Sequence, residues 1–134
     1  MTLGSETLAA LEAARARVIA QTERARIAAQ DAERMADDIS TLTRTVTSPG
    51  REVTVTARAD GSVDRIDLAA AAFDTDAGEL SRILTRTVRD AQRAAADTAV
   101  ARMAESLGAD SPLVADVRSQ VAAQYGPATG TDLR

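Results

Sequence analysis

From Ser5 to Val46 the chain contains neither glycine nor proline and is dominated by alanine, arginine, glutamate and glutamine. These residues lose little conformational freedom in a helix. Ser5 offers a hydroxyl suited to an N-cap. One helix is predicted over the whole stretch. At 1.5 Å per residue, about 42 residues reach roughly 63 Å. A compact chain of this size has a radius of gyration of only about 14 Å. The helix is therefore expected to overhang the rest of its domain and to pack on a second copy or another partner.

Its apolar positions repeat every seven residues: Leu11, Val18, Ala25, Ala32, Ile39 and Val46. Ala14, Gln21, Ala28, Met35 and Leu42 follow three positions on. This is a coiled-coil-like seam, thinned by alanine in its middle. Flanking positions read Arg17, Arg24, Asp31 and Asp38. Two antiparallel copies would set Arg17 against Asp38 and Arg24 against Asp31, a self-complementary pattern. The same charges also fit an ordinary solvated face.

Ser48-Pro49-Gly50 is a loop signal, after which the period becomes two. Val53, Val55 and Ala57 alternate with Glu52, Thr54, Thr56 and Arg58, the pattern of a half-buried strand. Asp60-Gly61 is a strong hairpin signal, and a second strand runs from about Ser62 to Leu68. Val46 is also a candidate for a third, short strand. Ala69 to Thr75 connects to a second helix, about Ala77 to Leu107, which opens with Asp76 and Glu79 in a capping-box-like arrangement. Gly108 ends it. Ser111-Pro112 starts a short third helix to Tyr125, and residues 127–134 are expected to fray. The expected fold is a single α+β domain assembled as a homodimer, with the two sheets or the helix seams meeting across the two-fold. Val53 and Val55 join Leu11, Val18, Ala25, Ala32 and Ile39 as expected interface residues.

Composition narrows the chemistry. All 16 basic residues are arginine, and the chain has no lysine, histidine, cysteine or tryptophan. Disulfides, thiolate or imidazole metal sites, cysteine nucleophiles and histidine acid–base catalysis are thereby excluded. Phe73 and Tyr125 are the only aromatics, so base stacking cannot be the main mode of nucleic-acid recognition. No apolar run approaches the roughly 20 residues of a membrane span, and the N-terminus lacks the pattern of a signal peptide. A cytoplasmic protein is expected. Asp60, Asp64, Asp67, Asp74 and Asp76 lack the glycine and terminal glutamate of an EF-hand loop. Turn chemistry and helix capping account for them better. No enzyme, metal or cofactor is expected.

The order of elements is carried by Val46-Thr47-Ser48-Pro49-Gly50, Val53-Thr54-Val55, Asp60-Gly61, Val63 with Ile66-Asp67-Leu68, and Val88-Arg89-Asp90-Ala91. It resembles the YbaB/EbfC family over about residues 10–107, with the third helix outside. The resemblance implies a small dimeric DNA-binding protein of the nucleoid. Some actinobacterial relatives accompany type VII secretion, and the arginine- and alanine-rich composition fits such a member. The chain has Arg51-Glu52 where the family commonly has glycine before the valine, and it lacks the family's lysine-rich arms.

Four arginines, Arg82, Arg86, Arg89 and Arg93, are spaced by four, three and four residues. They fall on one stripe opposite the apolar side of the second helix. The stripe reads either as a phosphate-binding ridge or as a solvated face paired with Glu79, Asp90 and Asp97. Arg15, Arg17, Arg24 and Arg26 on the first helix are the second candidates. The net charge of −4 opposes DNA binding, and no region is basic: residues 1–44 hold six arginines against seven acids, and residues 45–107 eight against ten. Since non-specific DNA affinity comes from phosphate neutralisation, only surface patterning can provide it. The competing expectation is an acidic helical adaptor or chaperone, linked to type VII secretion and docking a protein on Ala25, Ala28, Ala32 and the third helix. If the first helix pairs antiparallel in a homodimer, Arg17→Asp with Arg24→Asp weakens the dimer in sedimentation; an unchanged association constant removes that pairing.

Overall fold

The computed structural model describes residues 2–126, with side chains from Gly4 onward. In chain order the elements are α1 (Thr2–Ser40), β1 (Thr43–Thr47), β2 (Val53–Arg58), β3 (Val63–Leu68), a 3-10 turn (Ala70–Asp74), α2 (Ala77–Leu107) and α3 (Pro112–Tyr125). This is the expected α+β layout. The chain divides into two compact units, residues 1–36 and 37–134. Among the described residues the first is helix alone, and its described side chains are exposed apart from the half-buried Ala14 and Met35.

The first helix stops at Ser40, six residues before the predicted end. The run Thr41-Leu42-Thr43-Arg44-Thr45-Val46-Thr47 explains the difference. Threonine and valine are stiff at χ1 and favour a pleated strand over a helix. The Ser40 and Thr41 hydroxyls both donate to the Asp37 carbonyl, at 2.9 and 3.1 Å, and occupy the helix end. Val46 therefore belongs to a strand, and Leu42 is buried in the connection.

The sheet has the order β1-β2-β3, antiparallel throughout. On its outer face Thr45 pairs with Thr56 and Thr47 with Thr54 through hydroxyl contacts of 2.8 and 3.1 Å. On the inner face Val53, Val55 and Ala57 are completely buried against Ala91 of α2, with Val46, Leu80, Ile83, Leu84 and Val88 packed around them. Full burial of a valine is worth about 1.5–3 kcal/mol. Between β2 and β3, Gly61 takes φ 94° and its N–H donates to the Arg58 carbonyl at 3.0 Å. The Asp60 carboxylate accepts from the Ser62 N–H and hydroxyl at 2.9 and 2.7 Å, which lowers the pKa of Asp60.

The C-terminal half of α2 carries a second apolar surface, with Ala96, Val100 and Met103 buried. There α3 packs back on α2 and buries Val114 completely. Ser111 stands at the N-cap of α3 but makes no side-chain capping bond. The predicted fraying of 127–134 lies outside the described residues.

Arg51 is the one non-glycine residue with positive φ among the described residues, at 64°. A side chain in this left-handed region costs about 1–2 kcal/mol, part of which glycine returns as unfolded-chain entropy. Arg51→Gly is expected to raise stability by about 0.5 kcal/mol in urea unfolding; a loss of stability would show that the arginine side chain makes a compensating contact.

Candidate nucleic-acid interface

The N-terminal half of α2 is fixed from both directions. At its start the Asp76 carboxylate accepts from the Gly78 and Glu79 N–H groups at 3.1 and 3.3 Å, the expected cap. Along its length Leu80, Ile83, Leu84, Val88 and Ala91 hold it to the sheet. Helical periodicity then turns Arg82, Arg86 and Arg89 away from the sheet. All three are exposed. None of them makes a side-chain hydrogen bond or ion pair with another described residue. The pairings expected of Glu79 with Arg82 and of Asp90 with Arg86 are not formed.

Arg82 to Arg89 span seven residues, roughly 10 Å along the helix. That is about three phosphate steps of one strand measured along a duplex axis, at 3.4 Å each. Arg82 and Arg86 also border a cleft of about 550 Å³ between α2 and the β1–β2 turn. Glu52, Glu79 and Asp90 line the same cleft, so its interior is not a cationic pocket. Its wall is ordered by Ser48, whose hydroxyl donates to Glu52 Oε1 at 2.7 Å and accepts from the Val53 N–H at 3.1 Å. The Ser48 hydroxyl holds the Glu52 carboxyl below its ordinary pKa. The cationic surface is thus the outward rim of the helix.

The fourth arginine has a different role. Arg93 is only 17% exposed; its Nε lies 3.2 Å from Asp97 Oδ2, and its Nη1 donates to the Tyr125 carbonyl at 3.1 Å and to the Gly126 carbonyl. It holds carbonyls at the C-terminus of α3, where a cation is favoured. Beside it Gln92 Nε2 donates to the Gly61 carbonyl at 2.7 Å. Arg93 and Gln92 thus tie α3 and the hairpin turn to one position of α2.

On α1, Arg15, Arg17 and Arg24 are exposed and make no ion pair with a described residue. Arg26 binds the Glu23 carboxylate, with Nε to Oε2 at 3.1 Å. That contact raises the pKa of Arg26 and lowers that of Glu23. Of the expected interface residues, Leu11, Val18, Ala25 and Ala32 are exposed and Ile39 is half-buried. Val53 and Val55 have no surface left, because both are committed to the core between the sheet and α2.

The hairpin aspartates have structural partners: Asp64 pairs with Arg58 at 2.8 Å and Asp67 with Arg65 at 2.9 Å. Among the described residues no group of three or more carboxylates is placed to hold a metal ion. No helix among them is long and apolar enough to cross a membrane.

The model of the YbaB/EbfC DNA-binding family matches residues 16–110. The chain belongs to that family. The YbaB/EbfC match takes in most of α1, the whole sheet and α2, and stops before α3. A search of curated proteins finds no match. Membership implies DNA binding of the nucleoid-associated kind. Within the YbaB/EbfC region Arg82, Arg86 and Arg89 are exposed on α2, and Arg17 and Arg24 on α1.

Arg93→Ala removes the contacts that hold the end of α3. The expected loss is about 1–2 kcal/mol, with faster amide exchange in α3. Unchanged exchange in α3 would show that Val114 packing alone holds the helix.

Proposed function

We propose that this YbaB/EbfC member is a non-enzymatic nucleoid protein that binds DNA as a homodimer through arginine-bearing helix faces. Arg82, Arg86 and Arg89 are the principal phosphate contacts, with Arg15, Arg17, Arg24 and Arg26 second. One observation carries the reading: three successive arginines of one stripe are exposed and pair with no acid among the described residues, while Arg93 is occupied in the fold. Each guanidinium offers a planar donor fork to phosphate oxygens. Contacts of this kind read no base edges, so binding is weakly sequence-selective. With a net charge of −4 per chain, the remainder of the surface repels DNA and lowers affinity, and the arginine–phosphate contacts themselves weaken as salt rises.

A second reading draws on a different observation. Leu8, Leu11, Val18 and Ile19 of α1 are all exposed, on a chain with excess acid. Such a surface suits a protein partner, as in an adaptor or chaperone serving type VII secretion. In that role the arginine rim is a solvated face and DNA is not a ligand.

Fluorescence anisotropy of labelled duplex DNA across a salt series separates the two. For DNA binding, affinity falls steeply with salt, and Arg86→Glu with Arg89→Glu weakens it at least tenfold. The double variant also flattens the log–log salt slope by about two for each protomer engaged. No binding by the unaltered protein at the lowest salt refutes the DNA reading and favours the protein partner.

A further inference from the structure

We infer that α3 is an internal competitor of DNA: while docked it withholds Arg93 from the arginine stripe, and its release adds a fourth phosphate contact. The inference rests on the DNA-binding reading above and names a device that regulates it.

Arg93 continues the stripe. It lies about one helical turn beyond Arg89, on the same side of α2. With it the ridge from Arg82 reaches roughly 16 Å along the helix. What removes it is the end of α3. Its Nη1 donates to the Tyr125 and Gly126 carbonyls, and its side chain is largely covered. These carbonyls stand at the C-terminus of α3, where helical acceptors are left without an intrahelical donor. That terminus also carries the negative end of the helix dipole. Docked α3 therefore acts twice at the end of the ridge. It fills the donor fork of Arg93, and it sets partial negative charge where a phosphate would lie. The remaining partner, Asp97, is exposed and pairs with Arg93 four residues away, a weak contact that phosphate can replace. A phosphate oxygen is a charged acceptor and binds a guanidinium more strongly than a neutral carbonyl does.

The last turn of α3 is lightly held. Val114, the one completely buried residue of the helix, sits near its start. Val117 and Val121 are half-buried, and Ala122, Ala123 and Gln124 are exposed. A helix of 14 residues is marginal without packing. At the last turn the holding contacts are the Arg93 clasp and Tyr125, whose hydroxyl lies over the Gly61 turn. Segments held by so few buried contacts open locally while the rest of the fold stays closed. The sheet core does not depend on α3, because Val53, Val55 and Ala57 are sealed by the first half of α2. The YbaB/EbfC match ends at residue 110, so the competing helix is no part of the shared region. Competition of this kind is reciprocal. The factor by which docked α3 weakens DNA binding is the factor by which DNA opens α3.

Amide exchange and fluorescence anisotropy on duplex DNA, both with the full chain, test this. Val114→Asn and Val121→Asn each leave the charge unchanged and place a polar amide on the α2-facing side of α3. In both, exchange at residues 122–126 without DNA is expected to rise about tenfold or more, while the β2 amides stay protected. At low salt DNA affinity then rises about fivefold, and the log–log salt slope steepens by about one for each protomer engaged. Arg93→Ala is expected to cost the α3 variants about fivefold and the unaltered protein less than about twofold. In the unaltered protein, saturating DNA is expected to speed exchange at Gly126, whose N–H donates to the Ala122 carbonyl at 2.8 Å, by about the same fivefold. Slow exchange at residues 122–126 in both α3 variants shows that α3 is a fixed part of the fold and overturns the inference. Release without a gain in affinity overturns it too, as does a gain that survives Arg93→Ala. No DNA binding by the unaltered and released proteins alike overturns the DNA reading and this inference with it. Because release is read without DNA, the two failures are distinct.

Discussion

The contact of Val53, Val55 and Ala57 with the underside of α2 determines what the rest of the chain can do. A three-stranded sheet needs a second layer before it is stable, and α2 is that layer. The strand contributes two valines and an alanine, and the helix meets them through Ala91, with Leu80, Ile83, Leu84 and Val88 packed around it. Once that face of α2 is committed, helical periodicity leaves the Arg82–Arg86–Arg89 stripe no place except solvent. The exposure of the arginines is therefore a consequence of core packing.

That geometry also divides α2 into two functional lengths. In its first half a sheet covers one side only, and the opposite side is open. In its second half α3 covers a further side, and the stripe ends where Arg93 turns to the carbonyls of Tyr125 and Gly126. An arginine that satisfies two carbonyls and a carboxylate is a poor phosphate ligand, since DNA would have to displace all three. The YbaB/EbfC match ends before α3, so in this chain the boundary of the arginine rim is set by a segment outside the family's shared region.

The sequence disclosed most of the architecture because its strongest signals are local. The long glycine-free helix, the period-two strand, Asp60-Gly61 and the Asp76 cap each act within a few residues. The end of α1 was harder to read. Leu42 and Val46 continue the seven-residue repeat, so periodicity and β-branched propensity disagree there, and the pairing of Val46 with Val55 decides for a strand. The candidate site was legible in part. The stripe spacing located Arg82, Arg86 and Arg89, but Arg93 looks identical to them until α3 folds back. The spacing from Arg93 to Gly108 nearly equals the length of α3, so an antiparallel helical hairpin was the available clue. The burial of Val53 and Val55 within a single chain depends on which element covers the sheet, and that is a tertiary fact that alternation alone does not contain.

The rim on α2 is built from guanidinium groups alone, in a chain without a single lysine or histidine. A guanidinium keeps its charge at every pH a cell reaches. Lysine acetylation, which silences basic surfaces by removing charge, has no acceptor side chain in this sequence. Changes to the three forks are then left to ionic strength and to modification of the guanidinium itself, such as methylation, which keeps the charge and blocks bidentate bonding.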